Sequence, residues 1–89
     1  MTDQEMLEAV KVFSGGDEVY RVHRFLVYRR RPDGATKAVT VDIRDEGEDA
    51  YARWHPHVED EDGRHARANP DRDLRVALSG VHWTELDRD

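Results

Sequence analysis

Cysteine is absent from the 89 residues, which removes disulfide scaffolds, thiol nucleophiles, zinc fingers and iron–sulfur clusters from consideration. Serine occurs only at Ser14 and Ser79, beside glycines, and neither stands in a G-x-S-x-G elbow. No glycine-rich phosphate loop with its lysine is present. No apolar run approaches the roughly 18 residues of a membrane-spanning helix. The opening MTDQEMLEAV is acidic and polar and lacks the blocks of a signal peptide, so a cytoplasmic location is expected. The length fits one small domain over 1–89 and leaves no room for a (β/α)8 barrel, which takes ~250 residues.

Lysine is scarce as well: Lys11 and Lys37 stand against twelve arginines. Acidic residues number 20 against 14 basic ones, for a net charge of −6. An acidic, arginine-rich and lysine-poor chain points to a GC-rich genome and a halophilic, salt-rich interior, where carboxylates hold water and keep protein dispersed. The charge is unevenly laid out. Residues 1–18 carry −4, residues 19–44 carry +5 and residues 45–89 carry −7. A basic central hairpin flanked by acidic segments suits internal neutralisation or an anionic partner.

Periodicity gives the elements. Thr2 to Glu5 matches a capping box, and Met6, Leu7, Val10 and Phe13 follow helical spacing up to Gly15-Gly16, predicting a short N-terminal helix; a strand over 8–13 is the alternative. Residues 18–30 are rich in β-branched and aromatic side chains and predict a long strand. Tyr20 and Val22 differ in parity from Phe25 and Val27, so a β-bulge near His23 or Arg24 would bring all four to one face. Pro32-Asp33-Gly34 is a turn. Val39, Val41 and Ile43 then alternate with Thr40 and Asp42, as a strand buried on one face demands. These segments predict a core hairpin over 18–44. A third strand is read at 50–58, with Pro56 arguing for an edge or a bulge. After the acidic turn Glu59 to Gly63, a fourth is read at 64–68. Asn69 or Asp71 caps a helix over 71–79, whose stripe is Leu74, Ala77, Leu78 and Val81. The tail, 81–86, is read as a short extended segment that packs Val81, Trp83 or Leu86 back onto the core. The expected fold is α+β: an antiparallel meander sheet of three to four strands, one C-terminal helix lying across the hairpin, and a short N-terminal helix.

Gly63 to Ala68, followed by Leu74 to Leu78, resembles the strand–turn–helix end of small antitoxin-like domains of the HicB type. The resemblance covers under a quarter of the chain, and the family's acidic EEAL stretch is replaced here by Asp73-Leu74-Arg75-Val76-Ala77-Leu78. It implies a regulatory domain, which sets a nucleic-acid-binding or antitoxin-like function beside the other readings.

Three constellations carry chemistry. His55 and His57 share a strand face, and His65 falls near them if the third and fourth strands pair; this is the spacing a divalent metal would use, weakened by Pro56. Surface exposure without a ligand is the simpler reading, and no metal or cofactor is expected. Arg21, Arg24, Arg29, Arg30 and Arg31 accompany Tyr20, Phe25 and Tyr28 on one hairpin, a pattern that grips phosphate and stacks bases, although the net charge argues against nucleic acid. Tyr51, Trp54 and Trp83 are the aromatic candidates for an interface, unless the core needs them. With no catalytic motif, the expected function is a small cytoplasmic protein-interaction or accessory domain that is not an enzyme. Its partner would be another protein or itself as a homo-oligomer, with no membrane.

Overall fold

The structure is a computed structural model and describes residues 1–88. Helix α1 (Asp3–Ser14) begins where Thr2 Oγ1 accepts the Glu5 amide at 3.2 Å, and ends at Gly15, whose φ of 71° is the left-handed value that stops a helix. Strands β1 (Arg21–Arg30), β2 (Thr36–Asp45), β3 (Trp54–Asp60) and β4 (His65–Arg67) follow as an antiparallel meander in the order β1-β2-β3-β4. Helix α2 (Leu74–Ser79) and a 3-10 helix (Trp83–Asp87) complete the chain. The expected α+β meander with helices at both ends is the observed fold.

The β1–β2 turn forms as its residues dictate. The Arg31 amide donates to Ala35 O at 2.7 Å, the Gly34 amide to Arg31 O at 2.9 Å, and the Ala35 amide to Asp33 Oδ1 at 2.9 Å. From there the register runs unbroken from Arg30↔Thr36 to Arg21↔Asp45. The expected bulge at His23 or Arg24 is therefore absent. Phe25 and Val27 share a face with Val39, Val41 and Ile43, while Val22, Leu26 and Tyr28 lie on the other. A bulge would disrupt the ladder, and the core does not need it, because Val81 and Leu86 fill it from the C-terminal side.

Pro56 lies in an interior strand, not at an edge. It opposes Ile43 of β2, where the pair exchanges no hydrogen bonds, and turns its nitrogen toward β4. The β3–β4 ladder stops at His57↔Arg67, one step before the donor that proline lacks. Pairing resumes only at Trp54 and Asp71, which exchange both backbone bonds at 3.0 and 3.2 Å. β4 is left three residues long.

That bridge also decides where α2 goes. Asp73, rather than Asn69 or Asp71, caps it, accepting the amides of Arg75 and Val76 at 2.8 and 3.2 Å. Pinned beside β3 and only ~9 Å long, α2 packs on β3 instead of lying across the hairpin. The core gathers Val39, Val41, Ile43, Val58, Ala66, Val81 and Leu86, with Trp54, Leu74, Leu78 and Trp83 around it. The tail, expected to be extended, turns into the 3-10 helix, and its Asp87 carboxylate takes a two-pronged grip from Arg29 at 2.6 and 3.1 Å.

Candidate protein interface

The cover over the sheet ends before it reaches β1. On the covered face Phe25 remains 54% exposed although its register partner Val41 is buried. On the opposite face no side chain is buried: Val22, Leu26 and Tyr28 stand beside Thr40, Asp42, His55 and His57, with Leu26 61% and Tyr28 71% exposed. β1 thus carries exposed apolar groups on both sides.

Its backbone is equally open. Because Arg31 bonds to Ala35, the alternation of an antiparallel ladder directs the odd residues of β1 at β2. The amides and carbonyls of Val22, Arg24, Leu26, Tyr28 and Arg30 point outward along an edge ten residues long. No proline or bulge blunts it.

Helix α1 adds a second unsatisfied surface. It has no buried residue, and Phe13 is 89% exposed, with Val10 and Val12 also in solvent. Asp3 pairs with Arg21, and Leu7 lies at a cleft with Val19 and Tyr20. The helix and residues 15–20 form an arm that leads into β1. The Cα radius of gyration is 15.4 Å, against ~12 Å for a compact chain of this length.

The arginines are mostly held by the protein's own carboxylates. Arg24 grips Asp42 at 2.7 and 2.9 Å, Arg29 grips Asp87, and Arg31 lies 3.9 Å from Asp87 and 3.8 Å from Asp33. Among the described residues Arg30 alone of the five expected nucleic-acid contacts has no carboxylate partner. The same pairs act on the acids. Hydrogen bonds from Arg21, Arg24 and Arg29 hold the carboxyls of Asp3, Asp42 and Asp87 below their ordinary pKa, and Arg53 does the same for Asp45.

The histidines do not converge. His55 Nε2 lies 2.9 Å from both Glu46 Oε2 and Ala52 O. The His57 and His65 rings approach to 5.6 Å, but no group of three or more metal-type ligands assembles among the described residues. Two shallow clefts of about 530 and 550 Å³ open on the surface, and no serine lines either.

Of the three aromatic interface candidates, Trp54 and Trp83 pack at the rim of the core, under Arg53 and Arg29 respectively. Tyr51 is 90% exposed in the loop before β3. Leu26, Tyr28 and Phe13 are large apolar residues left 61%, 71% and 89% exposed, and none of them is among the three aromatic interface candidates. For Leu26 and Tyr28 the signal in the sequence is apolar residues of both parities in one strand, which a single buried face cannot absorb. No helix of the described residues is long and apolar enough to cross a membrane. Comparison with known proteins returns no match: no family model, no curated protein and no solved structure.

Proposed function

We propose that this chain is a small protein-interaction or accessory module with no catalysis of its own, and that it docks through β1 and α1. One observation carries the reading. A ten-residue edge strand presents free backbone hydrogen-bonding groups together with apolar side chains on both faces. Strand addition to such an edge combines main-chain hydrogen bonds with side-chain burial, and it is a recurrent mode of recognition. The reading assigns the module to the cytoplasm and its 20 carboxylates to keeping it dispersed in a salt-rich solution.

The alternative is a nucleic-acid-binding or antitoxin-like domain using the arginine-rich hairpin. Internal pairing of Arg24 and Arg29 speaks against it, since a phosphate would have to displace a two-pronged carboxylate. A photo-reactive amino acid at Tyr28, activated inside cells that make the chain naturally, separates the readings. Attachment to a polypeptide is expected. A nuclease-sensitive adduct, or no adduct, would overturn the proposal.

A further inference from the structure

We infer that the occupant of the β1 edge is a second copy of this chain, paired antiparallel about a two-fold axis at Leu26, so that two four-stranded sheets join into one. This rests on the interaction reading above and names its partner.

The outward-facing residues of β1 are the even-numbered ones, so in a symmetric antiparallel ladder even must oppose even. That leaves a few registers. Centring on Arg24 sets Arg24 against its own copy, and centring on Val27 sets Arg24 against Arg30; both oppose like charges. Centring on Phe25 sets Arg24 against Leu26. Centring on Leu26 places Leu26 on Leu26, Phe25 opposite Val27, and Arg24 opposite the ring of Tyr28, where a guanidinium is attracted. Centring on Tyr28 sets Leu26 against Arg30 and Phe25 against Arg31. The Leu26 register pairs apolar with apolar at its centre on both faces, and it opposes like charges only at its end, Arg21 against Arg31, where Asp3 and Asp87 lie beside them.

Charge is compatible with the same partner. The facing strands are both basic, but Arg21, Arg24 and Arg29 are already held by Asp3, Asp42 and Asp87. In this pairing the chain leading into β1, with Asp17 and Glu18, runs alongside the end of the other copy's β1, where Arg30 has no carboxylate partner among the described residues.

The exposed surface is also large enough for an interface of this kind. The chain exposes 6634 Å², whereas a compact protein of its mass exposes ~5,400 Å². The excess, on the order of 1,200 Å², exceeds the ~800 Å² that each partner contributes to a standard interface.

The absence of cysteine makes the test clean. Light scattering on the purified full chain is expected to give twice the chain mass. Leu26→Lys and Leu26→Pro are each expected to give the monomer mass with unchanged circular dichroism. Proline at that position removes no β1–β2 bond, and the lysine variant covers the case in which the proline variant misfolds. Under mild oxidation Leu26→Cys should form a reducible dimer, because directly opposed residues of such a pair lie ~5.5 Å apart, within disulfide reach. Thr40→Cys, on the same face but in an interior strand, should form none. A monomeric wild-type chain, a dimer that survives both Leu26 variants, or cross-linking at Phe25→Cys in preference to Leu26→Cys would overturn the inference. A monomer that still attaches to a larger polypeptide through Tyr28 in cells would refute self-pairing and leave the interaction reading standing.

Discussion

The two edges of this sheet are finished in opposite ways. β4 is three residues long, ends where Pro56 denies it a donor, and lies beside the terminal 3-10 helix that buries Leu86. β1 is ten residues long, has no proline, and leaves Phe25, Leu26 and Tyr28 largely in solvent. One edge is closed by the chain itself, and the other is left as an unpaired template. A domain this small has little core to spare. Its stability belongs to the β3–β4 side, and its capacity for contact belongs to the β1–α1 side.

The sharpest way to break that division is to empty the closed side. Leu86→Ala removes a side chain only 2% exposed and wedged among Val39, Val58 and Val81. The expected cost is ~2–5 kcal/mol, from lost transfer energy and an unfilled cavity, which is a large share of the total stability of such a domain. Urea unfolding would measure it. A loss comparable to that of a surface substitution would mean that the tail does not close the core. Asp73→Ala comes next. It removes both acceptor bonds that start a six-residue helix, and caps are worth ~0.5–2 kcal/mol. Restoration by Asp73→Asn, but not by Asp73→Leu, would separate capping from a general effect of substitution.

The central strand β2 and the turn that leads into it were the most legible parts. Alternation of Val39, Val41 and Ile43 against Thr40 and Asp42 fixes the face of β2, and Pro32-Asp33-Gly34 fixes the turn, because both are local consequences of pleat and backbone φ. The stripe of α2 was equally readable, but not its destination. That depended on the Trp54–Asp71 bridge, a pairing between residues 17 apart in sequence that no local rule announces. The bulge assigned to β1 arose from bringing Tyr20, Val22, Phe25 and Val27 to one face, with Leu26 and Tyr28 opposite. Continuous pairing with β2 removes the bulge and sends Val22 to the open face beside Leu26 and Tyr28. The histidine spacing was read correctly as shared parity, yet parity does not convey that Glu46 and Ala52 hold the His55 ring.

Acid should act through the carboxylates that arginines hold. Asp45 and Asp87 anchor the covered face through Arg53 and Arg29, and hydrogen bonds from those arginines hold both carboxyls below their ordinary pKa. A carboxylate depressed in the folded state contributes stability above its unfolded pKa of ~3.9, which is lost as pH falls through the folded value. Unfolding midpoints should therefore respond little to these groups between pH 5 and pH 8 and drop below about pH 4. Asp45→Asn should start lower and show a shallower acid-side fall. An equally steep fall in that variant would assign the acid sensitivity to other carboxylates.

The smallest intrinsic effect is expected where the contact surface is largest. Leu26 touches no core residue from its place on the open face, opposite Thr40, and its outward amide bonds nothing in β2. In the isolated chain Leu26→Ser should change unfolding free energy by no more than ~0.5 kcal/mol, as surface substitutions usually do. That near-neutrality is informative because Leu26 is a large apolar residue, whose burial would be worth ~1.5–3 kcal/mol if anything covered it. Unfolding followed across protein concentrations distinguishes the two states. At high dilution the variant and the original chain should coincide. As concentration rises the original should gain stability by mass action while the variant stays level. A loss of ~2 kcal/mol at high dilution would place Leu26 in the chain's own core, and the distinction between a closed edge and an open one would then fail at the residue that defines it.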